Sequence, residues 1–304
     1  MGKIPTRSVW VNAGLNRPTN GRNFLQRAKL THLLWCLVVS NLFSSTVFGQ
    51  ANQNLNQLTG QAGTEDNSAI ITLSQSISSS THKVSDVRHS ATADTTVTAI
   101  GSDKYGNNYT LRLNGTKELT GERNFDFLDG TLRVSRPVYR RKEYILLARA
   151  TVMLPMSELT RENRQTITST SVSASNIFTP RNVPGLALIY IPNATVFFNK
   201  YEMSLTGLSN FKYRVGNTFV GSYSYKSLNA TFVAAYLRSF TYQNNPVDLF
   251  TFDVSGSYFF DATTSVSLGF SNFGSPLAAN GQSNVVRVYD RNRSILYTNV
   301  TYTF

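Results

Sequence analysis

The sequence predicts an all-β fold: a transmembrane, antiparallel, up-and-down β-barrel of about twelve strands, with ten to fourteen compatible with the pattern. Three observations carry this. Charged residues make up only 15% of the 304, against about 25% in a typical globular chain. Yet the mean hydropathy is −0.19, so the chain is not oily, and Ser, Thr and Asn abound beside the aromatics. Beyond residue 50 no apolar stretch is long enough for a spanning helix. Instead, segments of roughly ten residues alternate with period two and are separated by turn residues, which is how a strand with one lipid face and one lumen face must read.

The first segment is set aside before the fold is considered. Residues 1–29 carry six basic residues and no acidic one, and are followed by the apolar core Leu33-Leu34-Trp35-Cys36-Leu37-Val38-Val39 and by Val47-Phe48-Gly49. These are the basic, hydrophobic and cleavage regions of a secretory signal peptide, expected over 1–49. Without it the formal charge falls from +12 to +6. No basic run interleaved with aromatics remains, so nucleic-acid binding is not the explanation of the charge. Cys36 is the only cysteine, and the bulky Trp35 before it does not fit a lipoprotein signal. The rest of the chain has no thiol chemistry.

Residues 50–90 read as a polar leader on the inner side of the membrane. Its first part, 50–68, is Gln/Asn-rich. Ile71, Leu73 and Ile77 suggest one alternating strand, which then dissolves into Ser and Thr. The barrel is expected over 91–304, with strands near 91–101, 107–115, 124–138, 143–155, 164–178, 185–191, 195–206, 211–225, 230–242, 248–260, 264–273 and 293–304.

The C-terminal third shows the logic best. In 249–260, Phe250, Phe252, Val254, Gly256, Tyr258 and Phe260 share one face; Thr251, Asp253, Ser255 and Ser257 share the other. In 265–271, Val266, Leu268 and Phe270 oppose Ser265, Ser267, Gly269 and Ser271. Short turns are expected at 261–264, 226–229 and Pro192-Asn193-Ala194, and longer loops at 274–292, 243–247 and 179–184. Such alternation of short and long connections is typical of membrane barrels. A soluble β-sandwich would also alternate. The aromatic strand ends (Tyr223, Tyr225, Tyr258, Phe260, Tyr302, Phe304) suit interfacial girdles instead, and Ser, Thr and Gly fill a dry core poorly.

The last residues, Tyr297-Thr298-Asn299-Val300-Thr301-Tyr302-Thr303-Phe304, resemble the sorting signal of bacterial outer-membrane β-barrel proteins, with Val300, Tyr302 and Phe304 at alternating positions. Asn299 stands where the pattern often has Gly. The resemblance concerns the general porin-like architecture and points to no named subfamily. It implies the outer membrane of a Gram-negative bacterium, contact with lipid and lipopolysaccharide, and a transient encounter with the barrel-assembly machinery.

Enzyme chemistry finds little purchase. The histidines are His32, His82 and His89; the first lies in the signal and the others precede the expected barrel. No catalytic residue, metal site or cofactor is therefore expected. That leaves the lumen. The expected inward charges are Arg112, Arg133, Arg149, Lys200, Glu202, Arg214 and Asp253, a basic excess. Charge is costly against lipid and tolerated in a wet lumen, where a basic wall concentrates anions. The expectation is a pore for passive diffusion of small, preferentially anionic solutes. The alternative is a non-conducting structural, adhesive or surface-recognition barrel. In 230–242 the preferred parity turns Arg238 outward, near the outer headgroups.

Overall fold

A computed structural model describes residues 69–82, 86, 89–120, 124–274, 289–290 and 293–304. The expected signal peptide and the first part of the leader lie outside the described residues. Twelve strands are described: β1 (Ile70–Ser80), β2 (Ala91–Ser102), β3 (Asn108–Glu118), β4 (Phe125–Arg140), β5 (Tyr144–Leu154), β6 (Thr166–Phe178), β7 (Leu186–Asn199), β8 (Phe211–Tyr225), β9 (Leu228–Thr241), β10 (Pro246–Phe259), β11 (Thr264–Gly274) and β12 (Ser294–Thr303). Each pairs antiparallel with its sequence neighbours, and β1 pairs with β12 to close the barrel. Closure leaves no unpaired edge, the condition for crossing hydrocarbon with strands.

The barrel starts earlier than the sequence suggested. Ile70–Ser80, placed in the leader, is a full strand with Ser74 opposite Thr301 on one side and Thr96 on the other. Conversely, Pro192-Asn193-Ala194 is not a turn but the middle of β7. The missed strand and the false break cancel in the count. Proline is tolerated there because the β6–β7 ladder is interrupted: pairing runs through Ser173–Asn193 and resumes at Asn176–Tyr190. The missing N–H of Pro192 falls in that gap, while its other edge faces Asn217 of β8. The 179–185 connection consequently sits at the rim where the chain ends, and not at the opposite one.

We call the rim holding the start of β1 and the end of β12 the terminal rim. Its connections include the tight 226–227 and 141–143 turns. The far rim carries the 81–90, 155–165 and 200–210 connections, the second containing a π-helix, Leu159–Asn163. Outward aromatics gather at both rims, with Tyr109, Tyr139, Tyr223, Tyr225, Tyr258, Tyr302 and Phe304 at the terminal one and Phe125, Phe127, Phe198, Tyr213 and Tyr236 at the far one. This is the double girdle of a membrane barrel.

A bulge in β4 sets the facing of the basic strands. Arg112 opposes Thr131, but Asn114 opposes Leu128, so β4 carries one extra residue at Asp129-Gly130. The extra residue reverses the parity as far as Pro137, where a second register shift against β5 restores it. Phe125 and Phe127 thus point outward while Arg133 points inward on the same strand. The bulge also aims the Asp129 carboxylate at the far-rim loop, where it accepts from the Met156 and Ser157 amides at 3.0 Å and the Thr160 hydroxyl at 2.6 Å.

Candidate functional site: the inner wall of the barrel

The inward positions are fixed by the register. On β10 to β2 they are almost all small and hydroxylated: Thr251, Ser255 and Ser257 on β10, Ser267 and Ser271 on β11, Asn299 and Thr301 on β12, Ser74, Ser76 and Ser78 on β1, Thr96 and Thr98 on β2. All are buried. Their hydrogen bonds go to one another, across strands or along one. Ser74 donates to Asn299 at 2.7 Å, Asn299 to Thr301 at 3.2 Å and Thr96 to Asn114 at 3.0 Å; the Ser257 and Ser267 hydroxyls pair at 2.8 Å. Buried hydroxyls must be satisfied somewhere, and this wall satisfies most of them within itself; the Ser271 hydroxyl is buried without a hydrogen-bond partner among the described residues.

Two carboxylates stand in it. Asp253, 1% exposed, lies opposite Val233 and Ser271. The Tyr297 hydroxyl donates to it from two strands away, 2.9 and 3.0 Å from its oxygens. The intervening position on β11 is Gly269, where any Cβ would collide with the Tyr297 ring. Glycine is what lets the ring lie across β11. Asp94 on β2, also buried, faces Ser76 and Thr116. It is absent from the lumen charges expected from sequence, although the parity of 91–101 turns it inward.

The wall of β3 to β5 is different. Arg112, Arg133 and Arg149 all point inward, on three successive strands. Arg112 opposes Thr131, two residues from Arg133; Arg133 opposes Thr151, two residues from Arg149. Diagonal neighbours of this kind are roughly 7–8 Å apart. They also lie close to one height. Paired residues in this barrel climb from rim to rim: Ser222 near the end of β8 leads through Thr231, Ser255, Gly269, Tyr297 and Ser78 to Thr92 at the start of β2. A level ring must therefore step back toward the terminal rim at each successive strand, as a tilted barrel requires. The three arginines step in that direction, two residues at a time. None forms an ion pair with an acidic side chain among the described residues, and the Arg112 Nε is buried without a hydrogen-bond partner.

The other expected lumen residues fare unequally. Arg214 points inward on β8, but it is already held: its Nε donates to Ser239 at 2.7 Å, and its guanidinium lies 5.1 Å from the Phe197 ring centre and 5.5 Å from that of Phe211. Lys200 and Glu202 do not belong to a strand. β7 ends at Asn199, and both residues are exposed on the 200–210 connection at the far rim. Their expected inward position depended on the false break at Pro192. Arg238 faces outward near the far rim, as its parity suggested. Its partner is Asp248 on the adjoining strand, held by two bonds of 2.7 and 2.9 Å. Val300, Tyr302 and Phe304 share the outward face of the last strand, and the Phe304 amide donates to Ile71 at 2.8 Å across the closing seam. His82 and His89 lie on the 81–90 connection at the far rim.

A third feature was not foreseen. Between the basic and the hydroxylated walls, Leu147, Ile177, Ala187, Ile189, Val220 and Val233 form one buried apolar cluster. All six face inward, on β5 to β9, in the half of the barrel nearer the terminal rim. Sequence periodicity hides them: in 186–191 the inward Ala187, Ile189 and Ile191 alternate with outward Leu188 and Tyr190, so both faces read as apolar.

No family model and no curated protein matches the chain by sequence. Solved structures do match in shape. An outer membrane channel from Pseudomonas putida F1 superposes with a TM-score of 0.56 at 13% identity, over 81% of this chain and 98% of that one. The NanC porin aligns over 77% and 98% of the two chains at 8% identity, with a TM-score of 0.48. At such identities likeness speaks for architecture alone. The closed antiparallel ladder, the two aromatic girdles and the channel superposition agree on that architecture: the chain has the fold of a bacterial outer-membrane β-barrel.

Proposed function

We propose that the protein is an outer-membrane pore of narrow bore for passive diffusion of small, preferentially anionic solutes. One observation carries the reading: three inward arginines at one height, without carboxylate partners among the described residues. Guanidinium groups at their diagonal spacing repel by roughly 2 kcal/mol per neighbouring pair at an effective dielectric near 20. A closed structural barrel gains nothing from that repulsion. A passing anion relieves it, and the low-dielectric wall focuses the field on the lumen. In this orientation the terminal rim, with its tight turns, faces the periplasm and the longer connections face outward.

A second reading has its own support. The inward carboxylate of Asp253 and, on other strands of the same wall, Asn299 and Thr72 are almost wholly buried, as in a barrel that is filled and non-conducting and works through its far-rim loops.

Planar-bilayer recording of protein purified from the envelope separates the two. The pore reading expects discrete conductance steps and a reversal potential in a KCl gradient on the anion-selective side. It expects Arg133→Glu and Arg149→Glu to move that potential toward cation preference. A folded, heat-modifiable protein that stays electrically silent overturns it and leaves the filled barrel.

A further inference from the structure

We infer that the solutes this lumen selects are doubly charged oxyanions: a sulfate- or phosphate-like group held by the N–H forks of neighbouring arginines and not by charge alone. The inference rests on the pore reading and narrows its substrate class.

The residue type is the first observation. A basic wall can be built from lysine, yet β3, β4 and β5 present arginine at all three positions. An ammonium is a compact point charge. A guanidinium is planar and offers its N–H groups as a fixed fork that fits two oxygens of one oxyanion. Chloride has no pair of oxygens to fill that fork, so a wall that selects halides gains nothing from arginine over lysine.

The second observation is that these forks are not engaged by the protein. Arg112 stands between Thr98 and Thr131, Arg133 between Thr110 and Thr151, and Arg149 between Ser135 and Ser173. None of the three guanidiniums is hydrogen-bonded among the described residues, and the Arg112 Nε is buried without a partner. Each side chain is only half-buried, so it reaches accessible space in the lumen. Arg214 on β8 shows the contrary arrangement: its Nε donates to Ser239 and its face lies against the Phe197 and Phe211 rings. A buried donor without an acceptor is unfavourable, and an oxyanion supplies the acceptor that the wall withholds.

The third is the spacing. Neighbouring arginines are diagonal, roughly 7–8 Å apart, and Arg133 stands within electrostatic reach of both the others. A singly charged ion offsets one of two such cations. A doubly charged one set between them offsets both, and accepts a charge-assisted bond of about 2.8 Å from each. A tetrahedral group turns oxygens to both sides at once.

The test is block of the chloride current in planar bilayers by sulfate and by methyl sulfate, which keeps the tetrahedron and loses one charge. Sulfate should half-block at a concentration on the order of tenfold below methyl sulfate, the factor that one further charge-assisted bond supplies. Inorganic phosphate and glycerol phosphate, both dianionic at about pH 8, should follow sulfate, and the stronger blocker of the two tells whether the free ion or the ester is preferred. Arg133→Lys keeps the charge and loses the fork. In it the sulfate value should rise on the order of tenfold, with the chloride-to-potassium preference as in the parent. If that variant does not fold, Arg149→Lys replaces it. Equal block by sulfate and methyl sulfate, or sulfate block unchanged in the folded Arg→Lys variant, overturns the inference and leaves the anion pore standing. Absence of any conductance overturns the pore reading and the inference with it.

Discussion

The wall built by β10, β11, β12, β1 and β2 keeps most of its polar groups to itself, whereas the wall of β3, β4 and β5 leaves its charges without acidic partners among the described residues. In the first, hydroxyls and amides are short, close to the backbone and mostly bonded to one another; Asp253 is occupied by Tyr297, and Asp94 is the one buried carboxylate left without a hydrogen-bond partner among the described residues. In the second, long cationic side chains stand opposite neutral residues: Thr98 and Thr131 beside Arg112, Thr110 and Thr151 beside Arg133, Ser135 and Ser173 beside Arg149. Both walls are polar and both are inward. The difference teaches that inward polarity alone does not mark a solute site; what marks it is polarity that the fold has not already consumed.

That contrast can be broken most decisively on the basic wall. Arg133→Glu, at the centre of the three, should shift the ion preference by severalfold toward cations, with the urea midpoint of unfolding little changed. Unaltered selectivity would mean that Arg133 does not border the conducting path. The opposite pattern is expected on the hydroxylated wall. Gly269→Val should drive the Tyr297 ring off its seat and lower stability by about 1–3 kcal/mol, the usual cost of overpacking, read as a shift in the urea midpoint with selectivity intact. Tyr297→Phe should cost about 1–3 kcal/mol by leaving the buried Asp253 without its donor, again with selectivity intact; a change in ion preference in either variant would erase the distinction between the walls.

Outside the lumen the expected effects are smaller. Arg238→Glu sets two carboxylates face to face on the outer surface near the far rim. It should lower the temperature of heat modification by no more than a few degrees, since exposed ion pairs contribute little. The smallest effect concerns a terminal-rim turn. Asp103 caps the 103–107 connection by accepting from the Tyr105 and Asn107 amides and the Asn107 side chain. These donors hold its carboxyl down at about 2 from the ordinary 3.8. A depressed carboxylate stabilises the folded turn above its ordinary value, and the benefit is lost as pH falls through the lowered one. Asp103→Asn should therefore flatten the acid dependence of stability between about pH 4 and 2 and leave neutral stability nearly unchanged. A variant whose acid profile matches the parent would show that other groups set it.

Much of the barrel was legible because a strand with one wet and one oily face has no choice but to alternate. The segments 249–260 and 265–271 have the facing that their pattern dictates, and three of the expected lumen arginines line one wall. The failures have physical causes. β1 was passed over because its outward face includes Gln75 and Ser79, so the alternation is weak in a strand that the seam holds in place. Pro192 and Asn193 carry turn chemistry, yet turn residues can occupy a ladder gap that only the neighbouring strand creates. Lys200 and Glu202 were misplaced as a direct consequence. The apolar cluster left no signal because its strands are apolar on both faces, and only register shows which half is inside.

The seam between the first and last strands has a kinetic side. Ser74 and Asn299, hydrogen-bonded across it, are 225 residues apart in sequence, so this single pairing carries the largest loop-closure entropy in the molecule. Every other strand pair forms as a local hairpin. The barrel therefore stays an open sheet, with two exposed edges, until its final residues exist to meet its first. Yet the ends that meet are neighbours in space, the Phe304 amide resting on Ile71. A circular permutant that joins them and opens the 226–227 turn instead would turn the slowest contact into a hairpin and move the closure step to β8 and β9, a rearrangement of the order of assembly that leaves the finished wall unchanged.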